Sequence, residues 1–396
     1  MSEKLIEHDK AAGRVRVAAI IDTAIVSGPG RQLAALAGEL KHHGVDLCVF
    51  MFQRRDRPIS SYVAYLEHAG VPCVVLPDTG PLDISVVWRL RTALREWGPD
   101  IVQTHGYRPT AFACALRALG RNAWKWAAFY HGATRENWRV RLYHRIDRIL
   151  LPRADILVVM SQRQQRMFIH NRPDVIIIYN ATITELPSQD DVVDLTPYRR
   201  PGVPMLGVVG RLSYEKGVDV LLAAISALPI DVSLVIAGDG PERNVLRTQT
   251  AKLGLSHRVH FLGWVSNVAS LYGQLDIAVL PSRSEGLPNV LLEALAADVP
   301  VVATDVGAVT EVLNITHSGE IASPGDPSSL AKAVQRALAD GRSVGSSMAR
   351  AAVVERFSLR RRVEAHLELY AEALDLPARS RTRARTDKNV GVIIGL

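Results

Sequence analysis

Cysteine is scarce in this chain of 396 residues: there are only Cys48, Cys73 and Cys114, an odd number, far apart and each set in apolar sequence. Neither a disulfide framework nor a zinc site is built from such a set, and a reducing, cytoplasmic setting is expected. Long apolar runs are lacking too. The most tempting segment, "RILLPRADILVVM", is broken by Pro152, Arg153 and Asp155, so no membrane span is expected. The N-terminal "MSEKLIEHDKAAGR" is polar and has no apolar stretch ahead of a small-residue cleavage site, so no secretory signal is expected. Aromatic residues make up 6% of the chain against 48% hydrophobic residues overall, and the length exceeds one comfortable core, which suggests two domains.

A pervasive charge of one sign is missing as well. The formal net charge is +7, from 47 Lys+Arg and 40 Asp+Glu, but Arg121 to Arg153 carries +6 and Ala378 to Lys388 carries +4, which leaves −3 elsewhere. The basicity is two local patches. A non-catalytic, basic nucleic-acid-binding protein is therefore an alternative that lacks a recognition motif, and no nucleic acid is expected as a partner.

What is present is a repeating order of short apolar strand, turn and amphipathic helix. "RVRVAAIID", "DLCVFMF", "VPCVVLP", "DIVQTH", "WAAFYH", "DILVVMS" and "DVIIIYN" read as strands buried on both faces, which means a parallel sheet flanked by helices. After Asn180, "ATITELPSQDDVVDLTPYRRPGVP" reads as a linker. The pattern then restarts with "MLGVVG", "VSLVIAG", "RVHFLG", "DIAVLPS" and "VPVVATD". The expected fold class is α/β, two doubly wound Rossmann-like domains facing a cleft, which puts a ligand at the C-terminal ends of the strands. The last helix, "LRRRVEAHLELYAEAL", has apolar spacing at Val363, Leu367 and Tyr370, and a disordered basic tail is expected from 377 to 396.

"SRSEGLPNVLLEALAADVPVVATDVG" follows one of these strands. Gly286, Leu287, Pro288, Asn289 and Val290 read as the entrance to a helix, with Pro288 in its first turn, where free amides favour an anion. Glu285 lies on the loop and Glu293 lies one turn inside. Two carboxylates beside an anion site suit a ligand that also brings hydroxyls, since a carboxylate only accepts hydrogen bonds. "VGRLSYEKG" supplies cations: Gly210 permits close backbone approach, Arg211 offers a fork and Lys216 a point charge. Together these fit a phosphate-linked sugar.

"VGRLSYEKG", "IAGDGPE", "FLGWV" and "PSRSEGLPNVLLEALAADVPVVATD" resemble the signatures of retaining glycosyltransferases of family 4, in order and spacing. The resemblance covers nearly all of 13 to 376. It implies a GT-B fold, with an acceptor-binding domain over 13–185, a nucleotide-sugar domain over 200–358 and a final helix at about 359–376 returning to the first domain. It also implies metal-independent transfer with retention from a nucleotide diphosphate donor such as a UDP- or GDP-sugar, with no cofactor and no metal ligand. By position, Arg211 and Lys216 would hold the diphosphate, Glu285 the sugar hydroxyls and Glu293 the ribose. His131 in "FYHGATRE" would be the active-site histidine. Gly28 and Gly30 of "SGPGR" would form an acceptor-side loop, and His105 would line the cleft. Backbone near Gly263 to Val265 would meet the base. Ala181 and Asp298 stand where the family usually has glycine.

The resemblance implies an acceptor hydroxyl on a lipid-linked glycan or polysaccharide, in bacterial envelope, lipopolysaccharide or exopolysaccharide assembly. A sugar-nucleotide epimerase or hydrolase of similar architecture is the alternative enzyme. In the basic patch, Trp138, Leu142, Ile146 and Ile149 share a helical face that is expected to pack on the N-terminal sheet, with Trp124 and Trp126 nearby. Arg139, Arg141, Arg145 and Arg148 are expected to meet an anionic membrane from the cytoplasmic side.

Overall fold

In the computed structural model the described residues are 14–54, 56–80, 83–120, 122–132, 138–169, 172, 174–183, 192–340 and 346–375, the side chains of 138–141 and 346–347 excepted. The basic tail expected after 377 lies outside them. So do the side chains of Trp138, Arg139 and Arg141.

The first half alternates strand and helix as β1 (Val15–Ile21), α1 (Gly28–His42), β2 (Val45–Arg54), α2 (Ser61–His68), β3 (Cys73–Asp78) and α3 (Ser85–Trp97). It continues with β4 (Ile101–His105), α4 (Tyr107–Ala118), β5 (Lys125–Tyr130), α5 (Trp138–Leu150), β6 (Ile156–Val159), α6 (Gln162–Phe168) and β7 (Ile176–Ile177). The strands pair in parallel in the order β3-β2-β1-β4-β5-β6-β7. The expected strand "DVIIIYN" shrinks to the two residues of β7, because it lies at the sheet edge and the chain turns away at Asn180 to meet the second half.

The second half comprises β8 (Met205–Val209), α7 (Val218–Ser226), β9 (Ser233–Ala237), α8 (Arg243–Lys252), β10 (Val259–Gly263), α9 (Val268–Tyr272) and β11 (Ile277–Leu280). Then come α10 (Asn289–Ala296), β12 (Val301–Thr304), α11 (Val309–Thr316), β13 (Glu320–Ala322), α12 (Pro327–Asp340), α13 (Ser346–Arg356) and α14 (Leu359–Ala373). Its six strands are parallel in the order β10-β9-β8-β11-β12-β13. The reversal beside β8, like that beside β1, opens a crevice at the strand ends.

Burial explains the continuous apolar strands: residues on both faces of each sheet are covered. One apolar cluster runs from Val17 and Ala19 in β1, through Leu287, Leu291 and Phe357, to Val235 and Ala278 in the second sheet. The two domains thus share a core on the faces that carry α1, α10 and α14. Leu195, in the segment read as a linker, is itself fully buried there. Among the described residues no helix is long and apolar enough to cross a membrane.

Two sequence expectations change. Trp124 and Trp126 do not join a surface patch; both are buried, and the Trp126 indole donates to Thr104 Oγ1 at 3.0 Å. The apolar face of α5 does not pack on the sheet. Leu142, Ile146 and Ile149 are 44, 43 and 64% exposed, and Arg145 and Arg148 are exposed with them. The inward face is instead Tyr143, stacked on Tyr107 at 5.0 Å, and Asp147, buried beside Thr110. Periodicity marked the two faces of this helix but not which one turns inward. The neighbour, α4, presents a tyrosine and a threonine to it, so the polar face found partners.

Helix α14 buries Arg362, Val363, His366, Leu369, Tyr370 and Ala373. Leu369 takes the place expected of Leu367, and two members of the stripe are ionisable. The Arg362 guanidinium donates to the Tyr179 carbonyl at 2.6 Å and to Asn180 Oδ1 at 3.4 Å, and burial lowers its pKa to about 10. His366 Nδ1 donates to the Arg362 carbonyl at 2.8 Å. Burial, then the Arg362 charge, pulls its pKa from 6.5 down to about 3. Unfolded, the ring titrates near ~6.5, so below that pH the unfolded chain binds a proton that the folded chain refuses, and stability falls with pH. We predict a melting temperature, read by circular dichroism, that declines from about pH 7 to about pH 5, and a shallower decline in His366→Gln. Equal slopes in the two proteins would contradict a neutral, buried His366.

Candidate functional site

Strand β8 ends at Val209 and the chain turns through Gly210 into an exposed Arg211. Gly238 and Gly240 support that turn: a Cβ on either would lie 1.9 Å from the Gly210 carbonyl oxygen or 2.3 Å from that of Leu212. The Gly-Asp-Gly of "IAGDGPE" is therefore the floor on which the Arg211 loop rests. A short 3-10 turn, Tyr214–Lys216, carries Lys216 beside the loop that follows β11. Arg283 fastens the two loops, donating to both carboxylate oxygens of Asp219 at 2.7 and 2.6 Å and covering the Tyr214 ring at 4.3 Å.

Lys216 Nζ meets Glu285 Oε1 at 2.6 Å, and Ser282 Oγ donates to the same oxygen at 2.8 Å. Both of these bonds end on Oε1. One carboxylate oxygen is thus neutralised while the other keeps its acceptor capacity, which suits a hydroxylated ligand. Lys216 and Glu285 line a small crevice together with Gly210, Arg211, Ser282 and Val290. Pro288 caps α10 in extended conformation, one step outside the first turn expected for it. Leu287 is buried in the shared core, so it anchors the loop.

Glu293, one turn into α10, is reached from the other domain. Arg31 Nη1 lies 3.2 Å from Glu293 Oε1, and the Tyr272 hydroxyl lies 3.4 Å from Oε2. Asn289 also meets the first domain: its Nδ2 donates to the Gly28 carbonyl at 3.4 Å, and its Oδ1 accepts from Asn180 at 2.9 Å. Gly28 therefore lies at the junction of the domains. Gly30 does not: a Cβ there would sit 2.8 Å from the Tyr62 ring, and the Tyr62 hydroxyl donates to its carbonyl at 2.9 Å. Ser27 caps α1 by accepting from Gly30 N at 3.2 Å.

His131 follows β5, and its backbone lies directly against the loop of the second domain. A Cβ on Gly286 would be 2.1 Å from the His131 carbonyl oxygen, and one on Gly132 would be 3.1 Å from Gly286 N. Gly307 closes the other side, where a Cβ would lie 2.1 Å from the Gly286 carbonyl oxygen. His105, buried at the end of β4, brings Nδ1 to 2.9 Å from His131 Nε2. Burial lowers the pKa of His131 to about 3 and that of His105 well below the usual imidazole range, so both rings are neutral near pH 7.

The structure thus groups Gly210, Arg211, Lys216, Glu285 and Val290 at one pocket, with Glu293 and Asn289 further along α10 and His131 and His105 across the seam. Sequence reasoning passed over Arg31, Asn180, Gln164 and Arg362. Arg31 and Asn180 lie within quoted motifs, "SGPGR" and "IYNAT", where their charge and amide were the available signal. Gln164, whose side chain packs near Gly286, and Arg362 had no local signal. Asp298 adopts φ 57°, which explains why glycine suits that turn; Ala181 does not need such a backbone, and Gln32 brackets its N–H and carbonyl at 2.9 and 2.6 Å.

Two family sequence models match the chain: Glycosyltransferase Family 4 over residues 26–186 and Glycosyl transferases group 1 over residues 198–352. The chain is similar to an uncharacterized glycosyltransferase of Methanocaldococcus jannaschii, 39% identical over 140 residues, which are 34% of this chain and 36% of that relative's own length. It is also similar to a 2-deoxystreptamine N-acetyl-D-glucosaminyltransferase of Streptomyces fradiae, 26% identical across 80% of this chain and 83% of the relative. Among solved structures, Anabaena HepE in complex with UDP and glucose has a TM-score of 0.76 at 20% identity, covering 91% of this chain and 100% of that one. At that identity the likeness speaks for the fold.

The seam at Gly286 generates a prediction. Gly286→Ala forces its methyl group onto a backbone oxygen and should cost ~1–3 kcal/mol of stability in chemical denaturation, with loss of activity. Gly38→Ala, in exposed helix with open space around its Cβ, should instead gain about 0.5–1 kcal/mol. A Gly286→Ala protein as stable as the unmodified chain would mean the domains are not seated on each other there.

Proposed function

The chain belongs to the glycosyltransferases of family 4 and has their GT-B fold, and on that premise we propose that it moves a sugar from a nucleotide diphosphate donor to an acceptor hydroxyl with retention of configuration. The carrying observation is the Lys216–Glu285 pair in a pocket beside Arg211, facing His131 across a glycine seam. Arg211 and Lys216 hold the departing diphosphate, whose developing charge a preorganised cation stabilises most in the transition state. Glu285 accepts from sugar hydroxyls, and Glu293 accepts from the ribose diol. The acceptor hydroxyl attacks the anomeric carbon on the face that the phosphate leaves. The old C–O bond breaks as the new one forms, and the proton passes to the leaving phosphate oxygen. No metal enters this scheme, and UDP- or GDP-sugars are the donors to test.

We further propose that the acceptor is presented at an anionic membrane surface, in envelope or exopolysaccharide assembly, through α5. Leu142, Ile146 and Ile149 stand exposed beside Arg145 and Arg148, while the polar face of the helix is turned inward. An apolar stripe flanked by arginines suits the headgroup boundary of an anionic bilayer.

Three outcomes are expected. In thermal-shift titrations with UDP, GDP and ADP, one nucleotide at ~100 times its dissociation constant stabilises the protein by roughly 2.7 kcal/mol, and Arg211→Ala loses the effect. Lys216→Ala and Glu285→Ala lower turnover by about 10²–10³ with the circular dichroism spectrum unchanged; near-normal turnover in either defeats its assigned role. Release of free sugar without an acceptor would favour the hydrolase reading. In flotation at low salt the protein rises with anionic vesicles and Arg145→Glu/Arg148→Glu does not. Failure to rise would remove the membrane partner and leave the transferase reading intact.

A further inference from the structure

Gln103 and His105 in β4, His131 after β5 and Tyr370 in α14 form a hydrogen-bonded line that ends at the seam between the domains. Gln103 Nε2 donates to the Tyr370 hydroxyl at 2.6 Å. With the amide nitrogen turned to Tyr370, Gln103 Oε1 is the atom that faces His105 Nε2, at 3.4 Å. A carbonyl oxygen only accepts, and so His105 carries its proton on Nε2. His105 Nδ1 is then bare and faces His131 Nε2 at 2.9 Å. Two ring nitrogens at that distance share one proton, which must come from His131. The two imidazoles lie side by side, ring centres 5.2 Å apart and planes 26° apart, as an in-plane N–H···N bond requires, and Phe129 packs on His105 at 4.8 Å.

We propose that Gln103 and His105 are positioning residues that fix His131 as the neutral tautomer with its proton on Nε2, leaving Nδ1 as a hydrogen-bond acceptor. An acceptor nitrogen takes a hydrogen bond from a sugar or acceptor hydroxyl and gives none to a phosphate oxygen. His131 thus reads hydroxyl groups, and the diphosphate is left to Arg211 and Lys216. The use of His131 rests on the transferase reading; its tautomer does not. Which nitrogen of a histidine is protonated is set by the bond its other nitrogen makes.

Long-range ¹H–¹⁵N spectra of the ¹⁵N-histidine-labelled full chain test this, with His131→Gln and His105→Gln assigning the signals. Both rings of the unmodified protein are expected to be protonated on Nε2. Gln103→Met removes the oxygen, and Tyr370→Phe releases the amide to turn while leaving Gln103 in place. In either variant His131 should become a mixture of tautomers, and kcat for sugar transfer should fall about ten- to a hundredfold with the nucleotide-sugar KM little changed. His131 protonated on Nδ1 in the unmodified chain, or an unmoved tautomer in both variants, overturns the proposal. Absence of transfer activity in the unmodified chain would sink the transferase reading and leave the spectral result to stand or fall alone.

Discussion

The two domains meet backbone to backbone, and the rest of the site depends on that. Gly286 is held between the His131 carbonyl and Gly307, with no room for a side chain on either side. Any other residue there would push the loop bearing Glu285 away from the end of β5. The glycine thereby sets the distance between the pocket at Lys216 and the histidine pair. Such a seat positions but does not interlock, because it has no side chains to mesh. The interlocking is done around it: Asn180 Nδ2 donates to the Leu287 carbonyl at 2.8 Å, and Gln162 N donates to Glu311 Oε2 at 2.9 Å.

Charge is spent at the site in matched pairs. Lys216 and Glu285 are 25 and 12% exposed, Arg31 and Glu293 25 and 14%, so none is left alone in a poorly solvated place. A half-buried ion pair is weak evidence for stability, since desolvation offsets much of the Coulomb gain. Its retention in a cleft makes sense when a ligand takes over part of the pairing. On the proposed function, a diphosphate would compete with Glu285 for Lys216, and a diol with Arg31 for Glu293. The second exchange would loosen a contact between domains and so would couple nucleotide binding to their separation.

Much of this was legible in sequence wherever the cause is local. Continuous apolar strands and glycine-punctuated turns pointed to two parallel sheets, and Arg211, Lys216, Glu285 and Glu293 lie in motifs that follow the ends of strands. What was not legible depends on residues far apart in the chain. Arg31 meets Glu293 across 262 positions, and Gln103 meets Tyr370 across 267. No periodicity within a helix reports such a pair. The α5 face failed for a related reason: its two sides were visible, but the choice between them was made by Tyr107 and Thr110 on a neighbouring helix. The partner of Gly30 was hidden in the same way, since the ring it admits belongs to Tyr62, 32 positions along the chain.

The returning helix shows why a buried arginine is tolerated. Desolvating Arg362 is costly, and it remains stable only because the Tyr179 carbonyl and Asn180 Oδ1 accept from it. Asn180 is thereby oriented so that its amide nitrogen faces Leu287 and Asn289, the entrance of the helix that carries Glu293. Two turns further along α14, Tyr370 orients Gln103 and through it the histidine pair. This single helix therefore touches both halves of the cleft through polar contacts, the α10 side by way of Asn180 and the histidine side by way of Gln103. An apolar α14 would bury as well, but it would leave both amides free to turn, and the geometry of the cleft would then rest on the glycine seat alone.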